Sequence, residues 1–228
     1  GASSTIVVSL VGALAELLSV PLGELDIAAL AYQIERGDAG LSGGKQDQYA
    51  AAFGGFNFME FQKDGRVIVN PLRFRWSTIA ELEASLVLFF TGRSRASAQI
   101  IDDQRQAVRR AVAAAVEGLH GVKREAQTMK EALLRNDLGA MAASLRDGWR
   151  HKKMTATSVS NPLIDAVYEA AMASGAVAGK VSGAGGGGFM MFMVDPIRRG
   201  DVLRALAGHE GQVYSFRFSS SGVESWVF

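Results

Sequence analysis

The residues best suited to chemistry lie in three stretches. The most conspicuous is Ser182-Gly-Ala-Gly-Gly-Gly-Gly188, set flush against the apolar run Phe189-Met-Met-Phe-Met-Val194. Buried main-chain amides need partners, so a glycine loop between two apolar strands either faces an anion or packs closely on another backbone. A flexible linker is the plainer reading of such a composition, but linkers do not usually adjoin apolar strands on both sides. Gly183, Gly185 and Gly188 formally spell G-x-G-x-x-G, yet the dinucleotide fingerprint requires a helix after the loop. A strand follows here instead, and the absence of Gly-Lys-Ser/Thr excludes a Walker loop as well. The anion-facing candidates are Gly183, Ala184, Gly185, Gly186 and Gly187.

The second stretch, Gly1-Ala-Ser-Ser4, opens an apolar helix. Free amides and the positive end of the helix dipole make such a start a phosphate site, and a serine hydroxyl there can reach a magnesium ion. Simple N-capping by Ser3 and Ser4 is the bland alternative. The third stretch is Gly43-Gly-Lys-Gln-Asp-Gln48. If a helix begins there, the helical neighbours of Asp47 are Gly43, Gly44, Ala50 and Ala51, all small. Tyr49, Ala52 and Phe53 are then the anchors, and Asp47 stands on a cleared floor as a candidate proton acceptor. Glu35 ends the preceding helix, where the dipole disfavours an acid. Arg36 beside it could compensate, but a magnesium ligand is the sharper reading, since that ion prefers hard oxygens.

The elements that must position these residues follow from periodicity. Helices are expected from Thr5 to Ser19, from Leu22 to Arg36, and in a short segment through Phe53. The first is apolar almost all round and reads as a buried helix. Phe56, Phe58 and Phe61 suggest a strand that turns at Lys63-Asp64-Gly65 and returns over Val67 to Val69. Leu86 to Phe90 reads as a buried strand. Ser94 to Trp149 is helical, with interruptions expected near Gly118–Gly121 and Asn136–Gly139. Pro162 starts another helix. Strands are expected near Lys180–Ser182, over Phe189–Val194 and over Gln212–Phe216, with a helix from Pro196 to Ala207. Met190, Met191 and Met193 are most simply core. Strands and helices mix without regular alternation, which favours an α+β fold. A change of lobe is expected between Pro71 and Glu83, giving units 1–78 and 79–228.

Composition limits the function classes. The chain has 228 residues, 48% hydrophobic and 21% charged, with a formal net charge of +1. That balance suggests neither a nucleic-acid nor a membrane-surface partner. The absence of cysteine excludes disulfides and thiolate metal sites, and weakly favours the cytoplasm. The run Ile6–Leu18 imitates a signal-peptide core, but no basic segment precedes it and Glu16 interrupts it. His120, His151 and His209 show no zinc spacing.

Taken together, these segments resemble the GHMP kinases, the superfamily of galactokinase, homoserine, mevalonate and phosphomevalonate kinases. Gly1-Ala-Ser-Ser-Thr5 is similar to the tail of that family's second motif, and Lys180-Val-Ser-Gly-Ala-Gly-Gly-Gly-Gly188 to its third. Gly44-Lys-Gln-Asp-Gln-Tyr49 resembles the stretch carrying the catalytic aspartate of sugar kinases. Tyr32-Gln-Ile-Glu-Arg36, Gly43 to Ala51 and Phe53 to Phe58 look most like bacterial kinases that phosphorylate the anomeric hydroxyl of a heptose 7-phosphate.

The resemblance implies a two-lobed α+β fold, an incomplete N-terminal ATP-binding lobe and a ferredoxin-like C-terminal lobe. It implies ATP and Mg2+ as cofactors and a sugar phosphate as acceptor, with the separate segments meeting on one nucleotide. Asp47 would take the acceptor proton, Ser3 and Glu35 would hold magnesium, and Gly1, Ala2, Ser4 and Gly183–Gly187 would contact phosphate. Thr91 matches an acceptor-contacting position. A phosphorylated acceptor needs a second anion site, for which Arg93 and Arg95, or the patch Arg150, Lys152 and Lys153, are candidates. The family's first motif and the front of its second have no counterpart, so the chain is expected to begin in mid-domain. Two alternatives stay open: a kinase for fucose, galactose or a hexosamine, or a non-catalytic sugar- and nucleotide-binding homologue.

Overall fold

Apolar spacing along the first helix, α1 (Ala2–Leu17), directs Val8, Val11, Gly12 and Ala15 to one side. The computed structural model describes residues 2–92 and 97–226. The chain divides into two units: residues up to Arg73 with the C-terminal segment from Phe218, and Phe74–Arg217. The first unit packs α1 with α2 (Glu24–Tyr32) and α3 (Gln46–Phe53), followed by the antiparallel hairpin β1 (Asn57–Phe61) and β2 (Val67–Pro71).

Its core joins Val8 and Val11 of α1, Ile27, Ala28 and Ala31 of α2, and Tyr49 and Ala52 of α3. The opposite face of α1 is bare, with Ile6, Leu10, Leu14 and Leu17 exposed, the last by 69%. The all-round apolar helix is thus buried on one side only. Between α2 and α3 the chain makes a π-helical turn, Gln33–Asp38. The C-terminal segment returns to this unit, where Val223 N–H donates to Ala52 O and Gly55 N–H donates to Ser219 O.

The second unit begins with α4 (Trp76–Ser85), which periodicity did not reveal, and β3 (Leu86–Phe90). Then come α5 (Ser97–Arg109), α6 (Ala113–Arg135), α7 (Leu138–Lys153), α8 (Pro162–Ala173), β4 (Ala176–Val181), β5 (Phe189–Val194), α9 (Arg199–Leu206) and β6 (Gln212–Tyr214). The strands form one antiparallel sheet in the order β4-β5-β3-β6, the ferredoxin-like arrangement. Strand alternation puts Met190, Phe192 and Val194 of β5 and Val87 and Phe89 of β3 in one core, with Ile164 and Val167 of α8 and Val202 and Leu206 of α9. Asn161 caps α8 by accepting from Ile164 N–H at 3.1 Å, with Pro162 in the first turn where its missing N–H costs nothing.

The interruption expected at Gly118–Gly121 does not occur. α6 runs straight through both glycines, and the helix break lies earlier, where Ala111 takes a left-handed conformation. The break expected near Asn136–Gly139 does occur, with Asn136 ending α6 in the left-handed conformation. Gly118 and Gly121 serve packing instead. A Cβ on Gly118 would lie 2.6 Å from the His151 carbonyl oxygen of α7, and one on Gly121 would strike the His151 ring. Gly148 differs, because its nearest neighbour would be Glu125 Cβ at an ordinary 3.6 Å. Gly148→Ala should therefore raise stability by up to about 1 kcal/mol through helix propensity. Gly118→Ala should lower it by about 1–3 kcal/mol, because the facing backbone must move. Urea unfolding of both variants checks the opposite signs.

Candidate active site

In the first unit, three local structures converge on one carboxylate. The π-helical turn places Glu35 inward, only 2% exposed. Such turns recur at functional sites, because the wider ring redirects a side chain that a regular helix would aim elsewhere. α3 contributes Gln48, fully buried on the inner side of its first turn. The start of α1 contributes Ser3 and Ser4. Because α1 already begins at Ala2, both serines lie within its first turn.

Ser3 Oγ donates to Glu35 Oε1 at 3.3 Å, and Gln48 Nε2 donates to Glu35 Oε2. Gln48 Nε2 also donates to Ser4 Oγ at 3.2 Å. Burial alone would push the Glu35 carboxyl up. Hydrogen bonds from Ser4, Gln48 and Ser3, with the neighbouring Arg36 charge, outweigh it and hold the group below its ordinary value. Gln48 Oε1 is buried without a hydrogen-bond partner among the described residues.

The donor set fits a magnesium ion. That ion takes hard oxygens at about 2.1 Å, so adjacent ligands of an octahedron stand about 3.0 Å apart. Ser3 Oγ and Glu35 Oε1, 3.3 Å apart, match that spacing, and Ser3 is exposed on its outer side. No group of three metal-ligating side chains exists among the described residues. Phosphates and water would have to complete the shell of such an ion, as is usual for it.

Asp47 sits half-buried in the first turn of α3. The rest of α3 is fixed by Tyr49, which meets Phe61 of β1 edge-on at 6.0 Å and stacks within the helix on Phe53 at 6.5 Å. Since α3 starts at Gln46, Gly43 and Gly44 belong to the approach loop rather than to Asp47's helical face. Gly43 is small because the Arg36 guanidinium lies across it, whereas a Cβ on Gly44 would meet nothing within 4 Å. Ala50 and Ala51 remain its small helical neighbours.

In the second unit the glycine loop is a held structure. Gly183 and Gly185 to Gly188 all have positive φ, from 73° to 152°, a region costly for other residues. Gly186 N–H donates to Val159 O at 2.9 Å, and Asn161 Nδ2 donates to Gly186 O at 3.0 Å. A Cβ on Gly185 would lie 2.6 Å from Val159 O, so close backbone packing is part of the reason for glycine here. The amides of Gly183, Ala184, Gly185 and Gly187 donate to no described residue. The loop therefore combines both readings of its composition, anchored on one backbone and carrying free donors.

Thr91, 1% exposed, secures the loop's exit: its Oγ1 donates to Gly188 O and accepts from Gly188 N–H, both at 3.1 Å. The patch at the end of α7 splits. Arg150 pairs with Asp147, and Lys153 pairs with Asp165 at 4.0 Å and lies over the Trp149 ring. Lys152 turns to the loop and donates to Gly183 O. Gly1, Arg93 and Arg95 lie outside the described residues. Sequence reasoning missed Gln48 and Lys180. The signal for Gln48 was its place beside the anchor Tyr49, and for Lys180 a lone charge in an otherwise apolar strand.

Glu35 carries a pH signature. Its folded pKa is lowered, so its stabilising contribution is complete above the ordinary value of 4.5 and disappears as pH falls through the depressed one. Wild type should exceed Glu35→Gln in stability at pH 7, with the gap closing towards pH 3, as measured by urea unfolding.

Residues 1–55 match the GHMP kinases N terminal domain and residues 129–211 match GHMP kinases C terminal. The chain is 48% identical over 226 residues to D-glycero-alpha-D-manno-heptose 7-phosphate kinase of Campylobacter jejuni, spanning 99% of this chain and 66% of that protein. It is 28% identical to mevalonate kinase of Thermococcus gammatolerans, over 98% of this chain and 64% of that one. The crystal structure of D-glycero-D-manno-heptose 1-phosphate kinase from Bacteroides thetaiotaomicron superposes with a TM-score of 0.75 at 43% identity, covering 96% of this chain and 60% of that one. The chain thus spans about two thirds of the length of the relatives it matches. A serine-opened apolar helix, a buried glutamate served by it, an aspartate one residue from that glutamate's glutamine partner and a fixed glycine loop coincide with both family matches: the chain belongs to the GHMP kinase family.

Proposed function

We propose that this chain carries the phosphate-, metal- and acceptor-handling residues of an ATP-dependent sugar kinase. The favoured acceptor is the anomeric hydroxyl of D-glycero-D-manno-heptose 7-phosphate, whose 1,7-bisphosphate would feed nucleotide-activated heptose for surface glycans. The observation that carries the reading is the Glu35 carboxylate, buried yet kept charged by Ser3, Ser4 and Gln48 at the start of a helix. The 48% identity to a heptose 7-phosphate kinase supports the choice of acceptor.

Ser3 Oγ and Glu35 Oε1 would hold Mg2+, which supplies charge neutralisation at the ATP phosphates when bound. The amides of Ala2, Ser3 and Ser4 open α1 and favour phosphate oxygens, a role Gly1 would share. Gly183, Ala184, Gly185 and Gly187 offer donors to a phosphate from the loop, and Gly186 keeps the loop in shape. Asp47 accepts the proton as the sugar hydroxyl oxygen bonds to the terminal phosphorus, the bond to the bridging oxygen breaks, and ADP leaves. Such transfers depend chiefly on position and electrostatics, so a rigid α3 matters as much as the acid it carries. Thr91 acts by fixing the loop's exit. The acceptor phosphate falls to the basic groups Arg93, Arg95, Lys152 and Lys153.

In full-length protein, Asp47→Asn should retain nucleotide binding by calorimetry. Its turnover in a coupled ADP-release assay should fall by about 10²–10⁴-fold, the usual contribution of a positioned base. Near-normal turnover would remove Asp47 from this role. A protein that binds nucleotide and sugar phosphate but releases no ADP would instead be a sensing homologue, and equal rates on fucose or galactose would move the acceptor.

A further inference from the structure

α7 packs against β4 and brings Lys152 and Lys180 near enough for their charges to interact beside the glycine loop. Lys152 lies in the last turn of α7, and Lys180 is the penultimate residue of β4, two positions before Ser182. Both are half-buried. Lys152 gives one hydrogen bond, to Gly183 O. No described residue accepts from the Lys180 ammonium, and no described carboxylate pairs with either lysine. The two ammonium groups repel each other: burial first, and the neighbouring Lys180 charge second, bring Lys152 down to about 8, while burial lowers Lys180.

A protein gains nothing in stability from two desolvated like charges. A carbonyl cap for Gly183 would need one of the three donors of Lys152 and would leave Lys180 unexplained. Lys180 could have been any apolar strand residue, as Val181 beside it is. Its register partner on β5 is Met191, so the strand itself does not call for charge there. An oxyanion would answer both charges, and the adjoining loop carries amides that donate to no described residue.

We propose that Lys152 and Lys180 form a phosphate-binding subsite at the start of the glycine loop, taking the oxyanion of a phosphate group through two ammonium donors. The subsite deepens the kinase reading and rests on it only for the source of that phosphate: the acceptor sugar's own, or the nucleotide's. It places Lys180, rather than Lys153, beside Lys152 in that role, since Lys153 already faces Asp165.

The test is amine acylation of the full-length protein, with labelled lysines mapped by peptide mass. Exposed Lys63, in the β1–β2 turn, serves as internal control. Inorganic phosphate at ten times its dissociation constant should slow labelling of Lys152 and Lys180 by about tenfold and leave Lys63 unchanged. Parallel arms with heptose 7-phosphate and with a non-hydrolysable ATP analogue assign the source, according to which reproduces the protection. Lys180→Met removes no observed hydrogen bond, so it should melt like wild type while Lys152 loses most of its protection.

Labelling unchanged in all three arms, slowing shared by Lys63, or full protection of Lys152 in Lys180→Met would each overturn the subsite. The kinase assay is separate. Protection without ADP release would sustain the subsite and sink the enzyme reading, and ADP release without protection would do the reverse.

Discussion

A buried carboxylate must be hydrogen-bonded or neutralised, and in the first unit that requirement falls on Glu35. Ser3 and Ser4 from α1 and Gln48 from α3 all serve it, so two helices and a π-helical turn are set by a single charge. The orientation of α3 follows, because Gln48 reaches inward from the residue next to Asp47. Tyr49 then clamps the same helix against Phe61 of β1. Asp47 is thereby mounted on an element whose inner side is held in place. The returning C-terminal segment reinforces this, since Val223 N–H bonds to the Ala52 carbonyl at the helix's last turn.

The second unit solves a different problem. A loop of consecutive glycines has high conformational entropy, and ordering it costs more than ordering other residues. The structure offsets this with contacts at separate points: Lys152 at Gly183, Val159 and Asn161 at Gly186, and Thr91 at Gly188. Each anchor uses a main-chain group of the loop and leaves other amides free. The antiparallel sheet supplies the platform, since Ser182 N–H still bonds to Phe189 O across the loop's base.

Much of this was legible in the residues. Periodicity located α1 to α3, the hairpin, β3 and β5, and Tyr49, Ala52 and Phe53 were recognisable as anchors from their spacing. The glycine run advertised itself through its apolar flanks. What escaped were features set by tertiary contact. Gly118 and Gly121 look like breakers to any local reading, yet their meaning lies in the His151 backbone and ring across the helix pair. α4 was hidden because it is short and its inner side mixes Leu82 with the buried hydroxyls of Thr78 and Ser85, which blurs the apolar period. The first helix looked fully buried because its sequence cannot say which of its apolar faces finds a partner. The return of residues from Phe218 to the first unit has no local signal at all, because backbone pairing between distant segments does not depend on side-chain identity.

The π-helical turn carries a lesson about how such a site tolerates change. A wider hydrogen-bonded ring accommodates one residue more than the regular spiral, and that surplus sets the rotational phase at which Glu35 emerges. The direction of the carboxylate is therefore stored in the count of residues between α2 and the loop before α3. Swapping Ile34 or Gly37 for a neighbour in size perturbs contacts, whereas losing Gln33 or Ile34, the two residues between α2 and the acid, would rotate Glu35 relative to α2 by roughly a quarter of a circle, since each residue of a regular helix advances about 100°. Length, more than composition, is the guarded quantity in that segment.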